Sequence, residues 1–145
     1  MIKNKMSEQF KILTQFVKDM SCETPDVETY LYVKEYLKNY NLNIDITTKP
    51  LKNRMIEVNT KLSYSDKGKS KNKSYFEITY ASIVEINAEI KDRKIIEKII
   101  LCDTQKLIYP NLEKVFINLL SNAGFPGIKF EKKVDFEQLY NQRLN

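Results

Sequence analysis

The chain has 145 residues, of which 42% are hydrophobic and 30% charged, and its formal net charge is +5. This composition is typical of a globular protein and excludes an extensively disordered one, and the length predicts a single domain over residues 1–145. Histidine is absent, and the three glycines do not form a phosphate-binding loop. Cys22 and Cys102 are too far apart for a zinc or redox motif, so two buried free thiols are expected, with no metal and no cofactor.

No segment approaches the length of a membrane span, and the first residues, "MIKNKMSEQF", lack the apolar core of a signal peptide. We therefore expect no membrane insertion and a cytoplasmic location. Residues 1–9 are expected to be flexible.

Four segments follow the period of two that is typical of β-strands. They are residues 10–18, 41–49, 56–66 and 74–90. Their short connections favour antiparallel pairing. In the last segment Ile83 breaks the alternation, which predicts a β-bulge there.

The first strand has apolar residues on both predicted faces. Phe10, Ile12 and Phe16 are assigned to one face, and Leu13 and Val17 to the other. A strand of this kind is buried from both sides, in part by another subunit.

The hydrophobic period changes to that of a helix after residue 91. Residues 92–103 predict one helix, and Asp103 or Thr104 is expected to cap a second one. Pro110 either kinks this second helix or begins a new piece, and Gly124 ends it.

The terminal segment "VDFEQLYNQRLN" predicts a last helix capped by Asp135, with residues 141–145 as a short tail. Residues 27–40 fit either a helix or an irregular crossover. The order of elements predicts an α+β fold, in which a four-stranded antiparallel sheet is followed by C-terminal helices.

The surplus positive charge is concentrated in residues 65–74, where four lysines lie within the stretch "KGKSKNKS". No aromatic residue accompanies them for base stacking. A solvated hairpin loop is favoured over a phosphate-binding patch.

In this order, the segments resemble the SecB family of protein-export chaperones. The matches are "FVKDMSCETP", where the family shows an aromatic–x–K–D–x–S–x–E–x–P pattern, "YFEITYASIVEI", "LIYPNLEKVFINLLSNAGFPGIKF" and "VDFEQLY". Together they cover most of the chain from Phe10 to Tyr140.

The resemblance implies a cytoplasmic homotetramer, assembled as a dimer of dimers, that is not an enzyme. Such a protein holds unfolded secretory precursors in apolar grooves without ATP and passes them to the SecA motor. A groove lined with apolar side chains gains about 25 cal/mol per Å² of apolar burial without needing a set sequence.

The resemblance also implies two sets of site residues. For SecA docking they are Asp19, Glu23, Tyr75 and Glu77. For the client-binding groove they are Phe76, Ile78, Tyr80, Phe116, Leu120, Phe125 and Tyr140. Without the resemblance, the acids would be interpreted as solvated strand residues and the apolar set as core.

Three features depart from the family pattern. The chain is basic where many members are acidic, the sequence stops at "NQRLN" where many carry an acidic tail, and Lys133 stands where proline is common. Two alternatives therefore stay open. One is a SecB-like chaperone that protects an antitoxin in a toxin–antitoxin system. The other is a small basic nucleic-acid-binding protein acting through the lysine loop.

Overall fold

The computed structural model describes residues 9–68, 73–130 and 133–144. The elements in chain order are β1 (Phe10–Glu23), α1 (Val27–Tyr36), β2 (Tyr40–Pro50), β3 (Met55–Asp66), β4 (Tyr75–Ile86), α2 (Arg93–Lys98), α3 (Thr104–Asn122) and α4 (Phe136–Leu144). The four strands form one antiparallel sheet in the order β1-β4-β3-β2. The prediction of an α+β fold, with a four-stranded antiparallel sheet followed by C-terminal helices, is confirmed.

The two faces of the sheet differ in polarity. On β3 and β4 the buried, mostly apolar side chains alternate with partly exposed ones, which are mostly polar. Because successive strand residues point to opposite sides of the sheet, this pattern shows that one side is buried. The helices cover that side, which is called the helix side below. The other side, the open face, carries polar residues such as Glu57, Lys61 and Glu77.

Strand β1 is less regular than its neighbour β4. Its register shifts at Leu13 and again at Lys18, which makes these the bulged residues, while β4 stays continuous opposite them. The predicted bulge at Ile83 was therefore wrong, since Ile83 pairs directly with Thr14. The first bulge also moves Phe16 to the open face, opposite Ala81. The prediction that it shares a face with the first apolar residues of β1 was wrong for the same reason.

Helices α2 and α3 are joined without a break by a π-helical turn, Ile99–Asp103. Asp103 has helical dihedral angles and makes no capping hydrogen bond, so the predicted cap between two separate helices was wrong. Asp92 instead caps α2 by accepting a hydrogen bond from the backbone N–H of Lys94. Pro110 lies inside α3.

The C-terminal end of α3 is held by α1. Gly124 follows the helix with a φ of 101°, as expected of a terminating glycine. The Tyr30 hydroxyl donates a hydrogen bond to the Gly124 carbonyl at 2.7 Å, and its ring stacks on Phe125 with centroids 5.1 Å apart. Residues 27–36, which the sequence left open, therefore form a helix that packs against this corner.

The last helix begins as predicted, with the Asp135 carboxylate accepting a hydrogen bond from the backbone N–H of Gln138 at 3.0 Å. It continues to Leu144, so most of the predicted 141–145 tail is helical. Residues 1–8 and the middle of the lysine loop, 69–72, lie outside the described residues.

The core has two apolar clusters with a polar layer between them. On β3, Thr60 lies between Val58 of one cluster and Leu62 of the other. Thr60 is fully buried and donates a hydrogen bond to the Gln105 side-chain oxygen at 2.9 Å. This bond ties α3 to the middle of the sheet, because a buried polar pair is costly to separate.

The two free cysteines occupy different environments. Cys102 is buried in the larger cluster, as expected, whereas Cys22 is exposed. The prediction of two buried thiols was therefore wrong for Cys22, which lies on the edge strand β1, where the helices do not cover it.

Candidate functional site

The four predicted docking residues lie together on the open face. They are Asp19, Glu23, Tyr75 and Glu77. In the register of β1 and β4, Glu23 pairs with Tyr75, and Asp19 pairs with the open-face residue Thr79. Asp19 and Glu23 are both exposed, so two carboxylates face solvent along one strand.

Glu77 differs from these two acids because it already has partners. Its carboxylate is 3.3 Å from the Lys61 ammonium, and it accepts a hydrogen bond from the Tyr75 hydroxyl. Its side chain is only 14% exposed. The free negative charge of the predicted patch is therefore concentrated on Asp19 and Glu23.

A second ion pair crosses the open face next to this patch. The Lys18 ammonium on β1 lies 2.6 Å from the Glu57 carboxylate on β3. The hydrogen bond from Lys18, assisted by one from Asn59, holds the pKa of Glu57 below its usual value. The open face is thus a surface of mixed charge rather than a uniformly acidic one.

The predicted groove residues occupy the core instead. Six are 3% exposed or less: Phe76, Ile78, Tyr80, Phe116, Leu120 and Phe125. The strand residues among them are even-numbered positions of β4, which point at the helices, and the helix residues belong to the α3 stripe that packs on the sheet. Only Tyr140 is partly exposed. In this structure the six contribute packing and are not accessible to a client.

An open groove of about 710 Å³ lies elsewhere, between α3 and the segment that leads into α4. Helix α3 lines it with Lys106, Tyr109, Pro110, Glu113, Lys114 and Ile117. The opposite wall contains Phe130, Lys133, Val134 and Phe136. The rings of Tyr109 and Phe136 meet edge to face with centroids 5.3 Å apart, so the groove has a rigid aromatic floor.

The Tyr109 hydroxyl is an unusual feature of this groove. The side chain is 8% exposed, and the hydroxyl has no hydrogen-bond partner among the residues that the structure describes. Burial, reinforced by the nearby Glu113 carboxylate, raises the pKa of the phenol far above its usual value. The phenol is therefore neutral, and the Glu113 carboxylate is its neighbouring acceptor.

The sequence contained a signal for this groove that was not used. The α3 residues that line it recur at spacings of three and four from Lys106 to Ile117, which defines one face of a helix. Phe116 and Leu120, the α3 residues named from the sequence, lie on the adjacent face, which packs on the sheet. The α3 residues on the groove face include lysines, a proline and an aromatic residue, and such a mixture is typical of a solvent-exposed helix surface.

A second groove, of about 800 Å³, lies between the start of β3, the end of β2 and α2. Its apolar lining consists of Ile46, Pro50, Ile56, Ile96, Ile100 and Leu101. The chain thus has two separate apolar grooves on the helix side of the sheet.

Metal sites and membrane-spanning helices are both absent from residues 9–68, 73–130 and 133–144. No group of three or more metal-ligating side chains is close enough to hold a metal ion there. None of the helices described is both long and apolar enough to cross a membrane.

These features define a class of protein: a small α+β protein with apolar grooves on the helix side of its sheet and an open strand face on the other side. A sequence model of the family described as "Preprotein translocase subunit SecB" matches residues 3–145. The chain belongs to the SecB family, which confirms the resemblance found in the sequence.

Individual relatives agree with this assignment. A putative protein-export protein SecB of Pelagibacter ubique is 54% identical over 97% of this chain and 100% of its own length. The protein-export protein SecB of Parvibaculum lavamentivorans is 27% identical over 97% of this chain and 82% of its own. The prediction of a SecB chaperone of protein export is thereby confirmed.

A solved structure shares the fold. It is a SecB-like chaperone of Mycobacterium tuberculosis in complex with a peptide from an antitoxin, with a TM-score of 0.66. It covers 90% of this chain and 91% of its own, at 8% sequence identity. At that identity the likeness concerns the fold alone, and it does not favour the antitoxin alternative.

Proposed function

We propose that this chain is an ATP-independent holdase of the cytoplasm that binds unfolded secretory precursors and delivers them to SecA. It acts as one SecB-like domain over residues 1–145. The observation that carries the proposal is the open groove between α3 and the segment before α4, because it presents aromatic and aliphatic side chains to solvent. An unfolded chain gains burial there without a fixed sequence.

The proposed client site is therefore the 710 Å³ groove rather than the six buried residues predicted from the sequence. Tyr140, the seventh residue predicted for the groove, packs against both apolar clusters and does not line this groove. No enzymatic step and no cofactor form part of the function.

The proposed assembly is a homotetramer built as a dimer of dimers. Supporting it, β1 is an edge strand of 14 residues with exposed apolar side chains on both faces. They include Leu13 (48% exposed), Phe16 (46%) and Met20 (49%). Unpaired edges with exposed apolar residues favour association, and several grooves on one assembly add avidity for a long client.

The proposed SecA dock is the open face around Asp19 and Glu23, with Tyr75 and Glu77 beside them. Two exposed carboxylates suit a basic partner element and favour fast, salt-dependent docking. Glu77 has a supporting role, because its charge is already compensated by Lys61.

The first experiment measures whether the purified protein prevents aggregation of a slow-folding secretory precursor without ATP. Light scattering on the same sample gives the mass of the purified protein. We expect holding activity at a mass near four chains. Ile117→Ser, in the groove, should weaken holding about five- to tenfold through lost apolar burial. The matched control Asn118→Ser, on the exposed side of α3, should leave holding unchanged. A protein without holding activity would contradict the proposal.

A second experiment separates docking from holding. We expect Asp19→Lys with Glu23→Lys to weaken SecA binding at least about tenfold and to leave client holding intact. Glu28→Lys with Glu35→Lys, on the exposed side of α1, changes the net charge equally and serves as the control. If both pairs weaken binding to the same extent, the dock is not at this strand.

The nucleic-acid alternative depends on the lysine loop, whose central residues 69–72 lie outside the described part of the chain. The antitoxin alternative has no observation of its own in its favour. Neither is developed further.

A further inference from the structure

We infer that Arg54 is a positioning residue that fixes the shape of the groove of about 800 Å³ between the β2–β3 hairpin and α2. It does so by binding the turn of that hairpin to the segment before α2, a contact called the Arg54 clamp below. The consequence for clients rests on the proposed holdase function, whereas the clamp itself can be tested without it.

The backbone of Arg54 departs from the usual chemistry of a hairpin turn. Asn53 and Arg54 both have a φ of 61°. The Met55 N–H donates to the Lys52 carbonyl at 3.3 Å, which closes the turn around them. Hairpin turns with positive φ favour Asn and Gly, because other side chains are strained there. Asn53 follows this preference and Arg54 does not, and such an exception marks a residue whose side chain has another role.

The side chain of Arg54 offsets this strain with hydrogen bonds to a distant segment. Its guanidinium donates to the carbonyl of Ile86 at 3.2 Å and to that of Asn87 at 2.9 Å. It also donates to the Ile90 carbonyl. A planar fork of donors that is always charged suits several carbonyls at once. Arg54 therefore binds the β2–β3 turn to the end of β4 and to the residues that follow it.

The two segments joined in this way lead into the two walls of the 800 Å³ groove. One wall is the end of the hairpin, with Thr48 on β2 and Ile56 on β3. The other wall is α2 and the π-helical turn after it, with Ile96 on α2. Because residues 86–90 lie just before α2, the Arg54 clamp fixes the position of one wall relative to the other.

Helix α2 has few other attachments. It has six residues, none of them buried, and a helix of that length is not stable by itself in water. Ile96 packs partly against an apolar cluster, and the Tyr140 hydroxyl lies 3.5 Å from the Lys94 carbonyl, at the limit of a hydrogen bond. The C-terminal end of α2 continues into Ile99–Asp103, a turn with four buried residues. The N-terminal end therefore depends on the Arg54 clamp.

A preformed groove binds an apolar segment more tightly than one whose walls must first be ordered. Arg54 itself does not line the 800 Å³ groove. Its removal should therefore change client affinity through the position of α2 rather than through a lost contact with the client.

The first test compares two substitutions in the same turn by hydrogen–deuterium exchange of the full-length protein. Arg54→Gly relieves the backbone strain and removes the clamp. Asn53→Gly relieves the same strain and removes no side-chain hydrogen bond among the residues that the structure describes. We expect exchange in residues 87–98 to be about tenfold faster or more in Arg54→Gly, and within about twofold of the unmodified protein in Asn53→Gly.

The C-terminal half of α3 is the internal reference for this test, and its exchange should be unchanged in both variants. The inference is overturned if residues 87–98 exchange equally fast in both variants, or if exchange in Arg54→Gly rises equally in every element. Should Arg54→Gly not fold, Arg54→Lys keeps the charge but lacks the fork of donors, and it should accelerate exchange in the same residues.

A distance measurement tests the groove directly. Spin labels at Thr48→Cys and Glu97→Cys, in a Cys22→Ser background, stand on the two walls. Pulsed electron paramagnetic resonance, on samples diluted with unlabelled chain, gives the distance between them. We expect one narrow distribution with the natural turn and with Asn53→Gly, and a broader or longer one with Arg54→Gly. Identical distributions in all three proteins would overturn the inference.

Binding of an unfolded secretory precursor separates this inference from the proposed function. We expect Arg54→Gly to weaken binding about three- to tenfold and Asn53→Gly to leave it unchanged. If the unmodified protein does not hold the precursor but α2 is released as expected, the holdase function is overturned and the positioning role of Arg54 stands. If all three proteins hold the precursor equally well, the consequence for clients is overturned and the holdase function stands.

Discussion

Strands β4 and β1 pair with each other, but they differ in regularity and in the burial of their side chains. Strand β4 is regular, and its helix-face residues Phe76, Ile78 and Val84 are fully buried. Strand β1 has two bulges, and in its second half residues opposite that buried row, such as Met20 opposite Ile78, remain about half exposed. Strand β4 therefore stabilises the monomer, whereas β1 leaves apolar surface that can contact other molecules.

The pair Ile78 and Met20 gives the largest expected contrast. Ile78→Ala removes a fully buried side chain and should lower the free energy of unfolding by about 2–5 kcal/mol. Met20→Ala, on the opposite strand, should cost less than about 1 kcal/mol for the dilute monomer. Urea unfolding measures both. An equal cost that persists at every protein concentration would contradict the comparison, whereas a Met20 cost that grows with concentration would place β1 in an interface.

A smaller effect is expected where the two strands meet α3. The Tyr80 hydroxyl donates to the Gln15 side-chain oxygen at 3.0 Å and accepts from the Asn111 amide at 2.7 Å. Tyr80→Phe should therefore cost about 1–2 kcal/mol in thermal or urea unfolding. The control Tyr75→Phe, on the open face, should cost less than about 0.5 kcal/mol. If the two variants are equally stable, the hydrogen bonds among Tyr80, Gln15 and Asn111 do not stabilise the packing of β1 against β4 and α3.

The smallest effect is electrostatic and depends on pH. The pKa of Glu57 is lowered in the folded state by Lys18, so the fold favours the ionised carboxylate. This stabilisation is fully present above the usual glutamate pKa of about 4.3, and it disappears as the pH falls through the lowered folded value. Because the Lys18 side chain is 47% exposed and solvent screens its charge, we expect at most about 1 kcal/mol. In Glu57→Gln, the free energy of unfolding should fall by correspondingly less between about pH 5 and 3 than it does in the unmodified protein. If both proteins lose the same stability over this range, the ion pair does not stabilise the fold.

The sequence predicted the regular parts of the molecule best. The β3 segment alternates cleanly, and the β4 segment alternates apart from Ile83, because one side of each strand is buried; Asp135 and Gly124 mark helix ends with local chemistry. Such features depend on neighbours in the chain, so they can be recognised without the fold. The shared face of Asp19, Glu23, Tyr75 and Glu77, by contrast, depends on the pairing of β1 with β4, two strands that are distant in the chain.

The parts that were predicted wrongly depend on partners distant in the chain. The two bulges in β1 arise from its register against β4, and a shift of one residue moves Phe16 to the other face. The π-helical turn keeps four consecutive residues buried, Ile99 to Cys102, which no single helical stripe predicts. The 710 Å³ groove lies on a mixed face of α3, and part of its apolar lining, Phe130 and Phe136, comes from residues that follow α3 in the chain.

The sheet has two edges, and their difference bears on how far association can proceed. The outer edge of β2 ends in Lys49 and Pro50, and proline has no backbone N–H to offer to another strand. The edge of β1 has no proline within its 14 residues. If two copies of the chain pair their β1 edges about a twofold axis, neither β1 edge stays unpaired. The two β2 edges, each of which ends in proline, are then the outer edges of the joined sheet. Growth into open fibres, which requires β1 of one chain to pair with β2 of another, is thereby disfavoured, although the β1 edge itself favours association.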